Sequence, residues 1–429
     1  MHHWLDPVIV VARSALLVGI ILGLVPFLVW LERKGSAYIQ DRPGPERASI
    51  FGLRLAGLLH LVADAVKMLN KEDIIPSGVN RFYYLAAPII VVAVAFTTVA
   101  ILPLFDTIDF NRVGVKGWPV IAGQSLDIDP GILWFFAIAS LTVYGIIFAG
   151  WASNSKYSLL GAMRASAAVL SYEIPLGLSV IGALMVYGTV SLPEIVRWQG
   201  EHVWGILVQP LGALIFVVCA FAETNRVPFD LAESESELVA GYHTEYSAMK
   251  FGMFFLAEYG AMIVSSGLVI TLFFGGWQVP FLSTQALVTH AQVITQWSLG
   301  VAFAGSLVAV SVLLVNFTQR FGIWRDLRDY EPLVLAALVL GGGLTALGGL
   351  FVLMAVPLPV WYGPIFAAVA QFGMFMLKLL LVCWVFVWVR WTLPRFRYDQ
   401  VMNLGWRSLL PLALVNILLT GIVITVFNV

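Results

Sequence analysis

Residues 7–31 read PVIVVARSALLVGIILGLVPFLVWL, and this run indicates the kind of fold. A membrane-spanning helix needs about 20 mostly apolar residues, and the run supplies them. It is longer than the apolar core of a signal peptide and leads into ERK at 32–34 without a small-residue cleavage site. We therefore expect it to form a first membrane-spanning helix.

The composition of the whole chain points to a lipid environment. Of its 429 residues, 60% are hydrophobic and only 11% are charged, whereas soluble domains carry about 25% charged residues. The formal net charge of −1 argues against nucleic acid as a partner, because binding it would require a basic patch. Membrane lipid is the expected surrounding.

Further apolar stretches predict an all-α polytopic membrane protein, with about ten transmembrane helices in a single membrane domain over 1–429. The ten stretches are 7–31, 82–104, 131–152, 164–188, 204–222, 248–275, 298–317, 332–356, 362–389 and 406–427. Of the lysines and arginines between them, 19 lie in one set of alternate loops and three in the other set. Because loops rich in these residues stay in the cytoplasm, both termini are predicted on the periplasmic side of a bacterial inner membrane.

The cysteines give no sign of a redox or metal centre. Cys219 and Cys383 each lie in an apolar stretch, without a second Cys or a His at ligand spacing. Disulfides, zinc and iron–sulfur clusters are therefore unsupported. We expect no metal, flavin or iron–sulfur cluster in this chain, so any electrons it handles come from a partner.

The first polar loop, 32–81, contains a stretch with helical periodicity. From Phe51 to Lys71, apolar residues alternate with His60, Asp64 and Lys67. This pattern favours an amphipathic helix along the cytoplasmic face of the membrane. A solvated surface helix is the alternative.

The predicted cytoplasmic loop 223–250 is acidic, contrary to the positive-inside trend. Its acidic residues are Glu223, Asp230, Glu233, Glu235, Glu237 and Glu245. Because the loop is also rich in apolar residues such as Phe229 and Leu231, we expect it to fold back on the membrane helices and line a cavity. A solvated acidic face is the alternative, but it would leave those apolar residues exposed.

Three acidic or basic residues lie deep inside predicted spans, at least nine residues from either end. They are Glu173, Glu258 and Lys378. A charge in mid-membrane costs roughly 2.5–3.5 kcal/mol on insertion scales, so such residues are functional by default. Buried glutamates with few cations nearby hold protons tightly and exchange them near neutral pH, which suits a path that passes protons or responds to charge. A structural salt bridge is the competing interpretation.

Specific motifs occur in order along both halves of the chain. They are ERK at 32–34, RPGP at 42–45, ADAVK at 63–67, KEDIIP at 71–76, GWASNSKY at 150–157, SYEIP at 171–175, AETNRVPFDL at 222–231 and LPRFRYDQ at 393–400. Together they resemble the H-type membrane subunit of bacterial NADH:quinone oxidoreductase, respiratory complex I, whose mitochondrial counterpart is subunit 1.

The resemblance implies a subunit that anchors the peripheral redox arm, walls a cavity for quinone, such as ubiquinone, and couples quinone reduction to proton translocation. It implies no catalytic residue in this chain alone. The residues implied in the cavity or its access path are Arg33, Asp64, Arg226, Phe229, Asp230, Glu233, Glu235 and Glu237. The residues implied in a proton path are Glu173, Glu223 and Glu258. The implied partners are the other membrane subunits and the peripheral iron–sulfur and quinone-module subunits.

The chain departs from the family pattern in two places. The family usually has eight spans, whereas this chain has a further predicted helix pair near 298–356 that lacks mid-membrane charge. We expect this pair to have a peripheral packing or lipid-contact role. The first loop also differs around His60, which leaves the roles of residues 46–61 open.

Other functional classes remain as alternatives. The homologous ion-pumping subunit of a membrane-bound hydrogenase would lack a quinone site, and the complete run from Glu223 to Tyr246 favours the quinone enzyme. A stand-alone secondary transporter would show an internal repeat with matching broken helices, and the sequence has none that we detect. A purely structural anchor would leave the buried carboxylates unexplained.

Overall fold

The computed structural model describes residues 5–110, 114, 120–232, 238–321 and 327–427, without the side chains of residues 5–9, 320, 327, 328 and 427. Within these residues the secondary structure is helical, and β-pairing is limited to isolated bridges. The helices are α1 (Leu5–Ile39), α2 (Leu59–Asn70), α3 (Arg81–Val99), α4 (Gly131–Ala139), α5 (Thr142–Ala152), α6 (Lys156–Tyr187), α7 (Leu192–Glu201), α8 (Gly205–Val208), α9 (Pro210–Glu223), α10 (Ala248–Phe273), α11 (Thr284–Thr289), α12 (Ala291–Arg320), α13 (Glu331–Ala355), α14 (Tyr362–Thr392), α15 (Tyr398–Asn403) and α16 (Leu410–Phe427).

Nine helical segments in the described part of the chain are long and apolar enough to cross a membrane. Seven of them are single helices, namely α1, α3, α6, α10, α12, α13 and α14. The other two join neighbouring helices, over Gly131–Ala152 and Tyr398–Val426. The predicted all-α polytopic class is confirmed.

The tenth predicted span, at 204–222, is shorter than expected. It is divided into α8 and α9, because Gln209 leaves the helical conformation (φ −130°, ψ 60°) and Pro210 begins a new helix. The 14 residues of α9 rise about 21 Å, less than the hydrocarbon thickness of about 30 Å. Buried Gln209 is satisfied by α16, since it donates to Thr420 at 2.8 Å and accepts from Asn416 at 3.1 Å.

Burial divides the helices into a packed core and a peripheral pair. In α10, 72% of the most apolar 18-residue stretch is buried inside the protein. In α12 and α13 the corresponding values are 6% and 11%, although these two helices pack along each other. The α12–α13 pair therefore stands largely outside the core, with apolar faces suited to lipid.

The first loop contains the predicted amphipathic helix, but the helix begins later than the sequence suggests. Phe51, Leu55 and Ala56 have positive φ angles of 50°, 48° and 54°, which is incompatible with a right-handed helix. The helix α2 starts at Leu59. Its apolar stripe, formed by Val62, Val66 and Leu69, is exposed, as required of a helix that lies on a membrane surface.

Candidate functional site

An arginine three residues after the end of α9 forms the centre of a buried ionic cluster. The side chain of Arg226 is 1% exposed. Its Nη1 donates to Oε2 of Glu32 in α1 at 2.9 Å, and its Nε donates to Oε1 of Glu258 in α10 at 2.8 Å. One guanidinium therefore joins the loop 224–232 to two spanning helices.

Two further side chains complete this cluster. The hydroxyl of Tyr259 donates to Oε2 of Glu32 at 2.8 Å, and its ring lies 4.1 Å from the guanidinium carbon of Arg226. Arg390, near the end of α14, donates to the other oxygen of Glu32. Burial alone would lower the pKa of Arg226, but the nearby Glu258, Tyr259 and Glu32 outweigh it and hold that pKa above its usual range. Arg226 therefore stays charged.

Phe229 and Asp230 bind the same loop to the C-terminal segment. Arg395 donates to Oδ2 of Asp230 at 2.6 Å, and the backbone N–H of Phe396 donates to the carbonyl of Pro228 at 3.0 Å. The ring of Phe229 lies between the rings of Tyr172 and Phe396, with centroids 5.4 and 5.5 Å away. An aromatic group and an acid–base pair thus lie next to the Arg226 cluster.

Arg33 and Asp64 form a separate and more exposed pair. Nη1 of Arg33 donates to Oδ2 of Asp64 at 2.5 Å, and Lys67 donates to Oδ1 at 3.2 Å. The two paired side chains are 46% and 29% exposed. Burial by itself would raise the pKa of Asp64, but the hydrogen bond and charge of Arg33, helped by Lys67, hold it below its usual range. This pair holds α2 to the end of α1.

The predicted proton-path residues fall in two places. Glu223 and Glu258 line the same small cavity of about 40 Å³, which is room for roughly one to three water molecules. Glu173 lines a different, more open groove of about 660 Å³ between α4, α6 and Trp406, but it remains near enough to act electrostatically on Glu223.

The structure thus brings some predicted residues together and not others. Arg226 binds Glu258 directly, and Asp230 is close enough to act on Glu258 through its charge. Arg33 and Asp64 instead pair with each other. Glu233, Glu235 and Glu237 lie outside the described residues.

Three cluster members were not predicted as site residues from the sequence. Glu32 follows the first apolar run, Tyr259 follows Glu258 directly, and Arg390 follows the apolar stretch 362–389. A charged residue at the edge of a span is ordinarily a solvated anchor, so only the pairing in three dimensions distinguishes Glu32 and Arg390. Nothing in the sequence around Tyr259 indicates that it belongs to a site.

Lys378 has a structural role that the sequence did not predict. Its Nζ donates to the carbonyls of Phe274, Gly276 and Gln278 at 2.9, 3.0 and 2.8 Å. These carbonyls lie just beyond the end of α10, where backbone acceptors lack helical partners. Lys378 therefore holds the turn after α10 through backbone carbonyls, and the salt-bridge interpretation does not describe these contacts.

Metal ligation finds no support in the part of the chain that the structure describes. No group of three or more His, Cys, Asp or Glu side chains there is arranged to hold a metal ion. Cys219 and Cys383 are both buried, and Cys383 contacts Ser266 at 3.5 Å. The chemistry of the cluster is that of paired acids, bases and aromatic rings.

These features define a polytopic α-helical membrane protein with a buried ionic cluster beneath one loop. The family model described as NADH dehydrogenase matches residues 12–324 and 329–421. The H-type subunit of the NADH-quinone oxidoreductase of Bdellovibrio bacteriovorus is 41% identical, over 93% of this chain and 92% of the relative. Subunit 8 of the Rhodothermus marinus enzyme is 40% identical, over 96% of each chain. The H-type subunit of Flavobacterium psychrophilum is 37% identical, over 99% of this chain and 100% of the relative.

The chain belongs to the family of H-type subunits of NADH-quinone oxidoreductase. It is accordingly an integral membrane subunit of an oxidoreductase complex, and other subunits of that complex are its partners.

Proposed function

We propose that this chain forms the wall of the quinone cavity and couples quinone reduction to proton translocation through its buried carboxylates. The observation that carries the proposal is the position of Arg226. It lies in the same loop as Phe229 and Asp230, and it binds Glu32 and Glu258 of the spanning helices. A charge change on the loop side therefore reaches a spanning carboxylate through one guanidinium.

The quinone side of the proposal rests on the chemistry of the loop. A quinone headgroup is a flat ring with two carbonyl acceptors, and pockets for such ligands combine apolar or aromatic walls with a few polar groups. Phe229 supplies an aromatic face, and the Asp230–Arg395 pair supplies an acid and a donor. Arg33 and Asp64 would line the access path, together with Glu233, Glu235 and Glu237.

The coupling side rests on the connected charges. Quinone reduction takes two electrons, delivered by a partner's iron–sulfur cluster, and two protons. When the protons are taken from groups beside the loop, the charge there changes. Two unit charges 4 Å apart interact by about 4 kcal/mol at an effective dielectric constant of 20. Such a change beside Asp230 is large enough to alter protonation at Glu258, whose partner Arg226 stays charged, and from there at Glu223 and Glu173.

The proposal also includes the membrane, the orientation of the chain and its neighbouring subunits. We place the chain in a bacterial inner membrane, where the lysine and arginine distribution favours both termini on the periplasmic side. The loop side would then face the peripheral iron–sulfur and quinone-module subunits, and the apolar outer faces would contact lipid and neighbouring membrane subunits.

The test compares NADH-driven quinone reduction in membrane vesicles that carry the native chain or the Asp230→Asn chain. Asp399→Asn is the matched control, because Asp399 lies in the same C-terminal segment but forms an exposed pair with Arg397, 3.2 Å away. Equal assembly is first established by native gel, and NADH oxidation by ferricyanide reports on the peripheral arm.

Loss of most quinone reduction in Asp230→Asn alone, with ferricyanide reduction intact, supports the cavity assignment. Unchanged quinone reduction in all three chains contradicts it. Native vesicles that reduce no quinone but evolve hydrogen from a low-potential donor would instead identify a hydrogenase subunit.

A further inference from the structure

A buried carboxylate at the start of α13 links the peripheral α12–α13 pair to the first loop. Glu331, the first residue of α13, is 6% exposed. Its Oε2 accepts from Nε of Arg54 at 2.8 Å, and its Oε1 accepts from the backbone N–H groups of Arg54 and Leu55 at 3.0 and 2.8 Å. Three donors of the first loop therefore converge on one carboxylate of the pair.

The backbone that receives this carboxylate is strained. Leu55 and Ala56 have φ angles of 48° and 54°, a conformation that costs non-glycine residues of order 1–3 kcal/mol each and persists only when the surroundings hold it. Glu331 holds one side of the turn, and Trp30 of α1 holds the other by donating to the carbonyl of Ala56 at 3.0 Å. The carboxylate therefore helps to keep the turn in place.

This turn sets the position of α2. Only Leu58 separates the turn Leu55–Gly57 from α2, and α2 carries Asp64, which pairs with Arg33 at 2.5 Å. A second connection reaches the same region, because Arg54 lies 3.7 Å from Glu46, which pairs with Lys34 at 2.8 Å. Both routes from Glu331 end beside Arg33.

We infer that Glu331 is a positioning residue for quinone access, and that the α12–α13 pair serves as an external support for the access helix α2. The inference rests on the proposed quinone function of Arg33 and Asp64. Glu331 touches neither of them, and acts through Arg54 and the turn. Its loss would loosen the access path and leave the reducing step unchanged.

The experiment measures steady-state quinone reduction by the whole complex in vesicles, with the native chain, Glu331→Gln and Arg54→Gln, and with both changes together. Two quinones are compared: the long-chain quinone of the native membrane and a decyl-chain analogue with the same headgroup. Thr345→Ala is the matched control, since Thr345 is an exposed residue of α13 that bonds only to the carbonyl of Gly342 in its own helix. A photoreactive quinone labels the native complex in parallel.

We expect Glu331→Gln to raise the KM for the long-chain quinone roughly five- to tenfold, the size expected for one weakened charge-assisted hydrogen bond, with kcat within about twofold. The analogue, whose short tail needs less of the access path, should show a smaller increase. Because both single changes act on the Arg54–Glu331 contact, the KM increase of the double variant should be smaller than the product of the two single increases. A merely structural loss would instead lower kcat for both quinones alike, through fewer intact complexes.

An unchanged KM in Glu331→Gln and Arg54→Gln, with this chain still labelled by the photoreactive quinone, overturns the inference and leaves the quinone proposal standing. Absence of label from this chain in the native complex overturns both. If Glu331→Gln does not assemble, Arg54→Lys carries the test, since it removes the Nε donor and leaves the carboxylate with its two backbone donors.

Discussion

Nε of Arg226 and Oε1 of Glu258 are 2.8 Å apart, and the same guanidinium binds Glu32 at 2.9 Å. A loop residue is thereby joined to two spanning helices that are distant in sequence. Because each carboxylate shares the same cation, a change in the charge of one changes the field at the other. Changes at Glu258 and at Arg226 should therefore have different effects on proton translocation and on assembly.

Glu258→Gln removes the charge but keeps an acceptor for Arg226. We expect the complex to assemble and to lose most of its proton translocation, because the amide cannot take up or release a proton. The measurement is proton movement during NADH oxidation in vesicles, followed with a pH-sensitive dye. Glu194→Gln is the control, since Glu194 accepts from Thr189 at 2.5 Å, outside the cluster. Normal translocation in Glu258→Gln would exclude this residue from the path.

Arg226→Gln tests the stabilising role of the cation. The change leaves Glu258 without a partner and Glu32 with only Arg390 and Tyr259, and removing one partner of a buried ion pair costs about 3–5 kcal/mol. We expect a clear fall in assembled complex on native gels. Adding Glu258→Gln removes one unpaired charge and should restore part of the assembly. A double variant no more abundant than Arg226→Gln would show that the two residues are not energetically coupled.

Lys378→Met should weaken the fold. Three carbonyls beyond α10 would lose a charged donor, and one hydrogen bond to a charged group contributes about 1.5–3 kcal/mol. We expect a lower unfolding temperature for the purified complex, whereas Lys378→Arg, which keeps a charged donor, should lie closer to the native value. Quinone reduction per assembled complex should stay near normal in both. A selective loss of proton translocation in Lys378→Met would point to a role in the path instead.

The buried side chain of His243, within the predicted loop 223–250, makes the stability of the fold depend on pH. Its side chain is 8% exposed, and burial lowers its pKa from 6.5 to about 4. In the unfolded chain the ring takes up a proton as the pH falls through about 6.5, but in the folded chain only near 4. Its contribution to stability is therefore complete above pH 6.5 and is lost between about 6.5 and 4, amounting to about 3 kcal/mol.

His243→Phe keeps ring contacts with Tyr242 and Phe251 but cannot titrate. We expect its unfolding temperature to fall less steeply than that of the native complex between pH 6.5 and 4. His202→Phe is the control, since His202 is an exposed ring stacked on Trp198, and it should follow the native slope. Parallel slopes for all three would contradict the assignment to His243.

The course of the helices was largely predictable, because a lipid environment requires long apolar runs and the chain has few charges to interrupt them. The break between α8 and α9 at Gln209 could not be predicted. Proline at the first position of a helix is common, so Pro210 gives no warning that the preceding turn unwinds. The partners that make the break tolerable, Asn416 and Thr420, lie 207 and 211 residues away.

The candidate site was predictable by residue type and less so by pairing. Asp230 and Glu258 stand out because charge and apolar sequence occur together around them, whereas Arg226 was implied by the resemblance of the motif at 222–231. Their partnerships depend on which helices pack side by side, and a local pattern does not contain that information. For the same reason Arg390 reads as an ordinary anchor, although in the structure it binds Glu32.

The long separations within the cluster have a consequence for biosynthesis. Asp230 meets Arg395 across 165 residues, and ribosomes add about 5–20 residues per second, so the partner arrives roughly 10–30 s later. Glu32 meets Arg226 across 194 residues, and its second arginine, Arg390, follows it by 358 residues. A nascent or prematurely terminated chain therefore lacks the Arg390 and Arg395 contacts that tie α1 and the loop to the C-terminal segment, a difference by which proteases could distinguish unfinished chains from those ready for assembly.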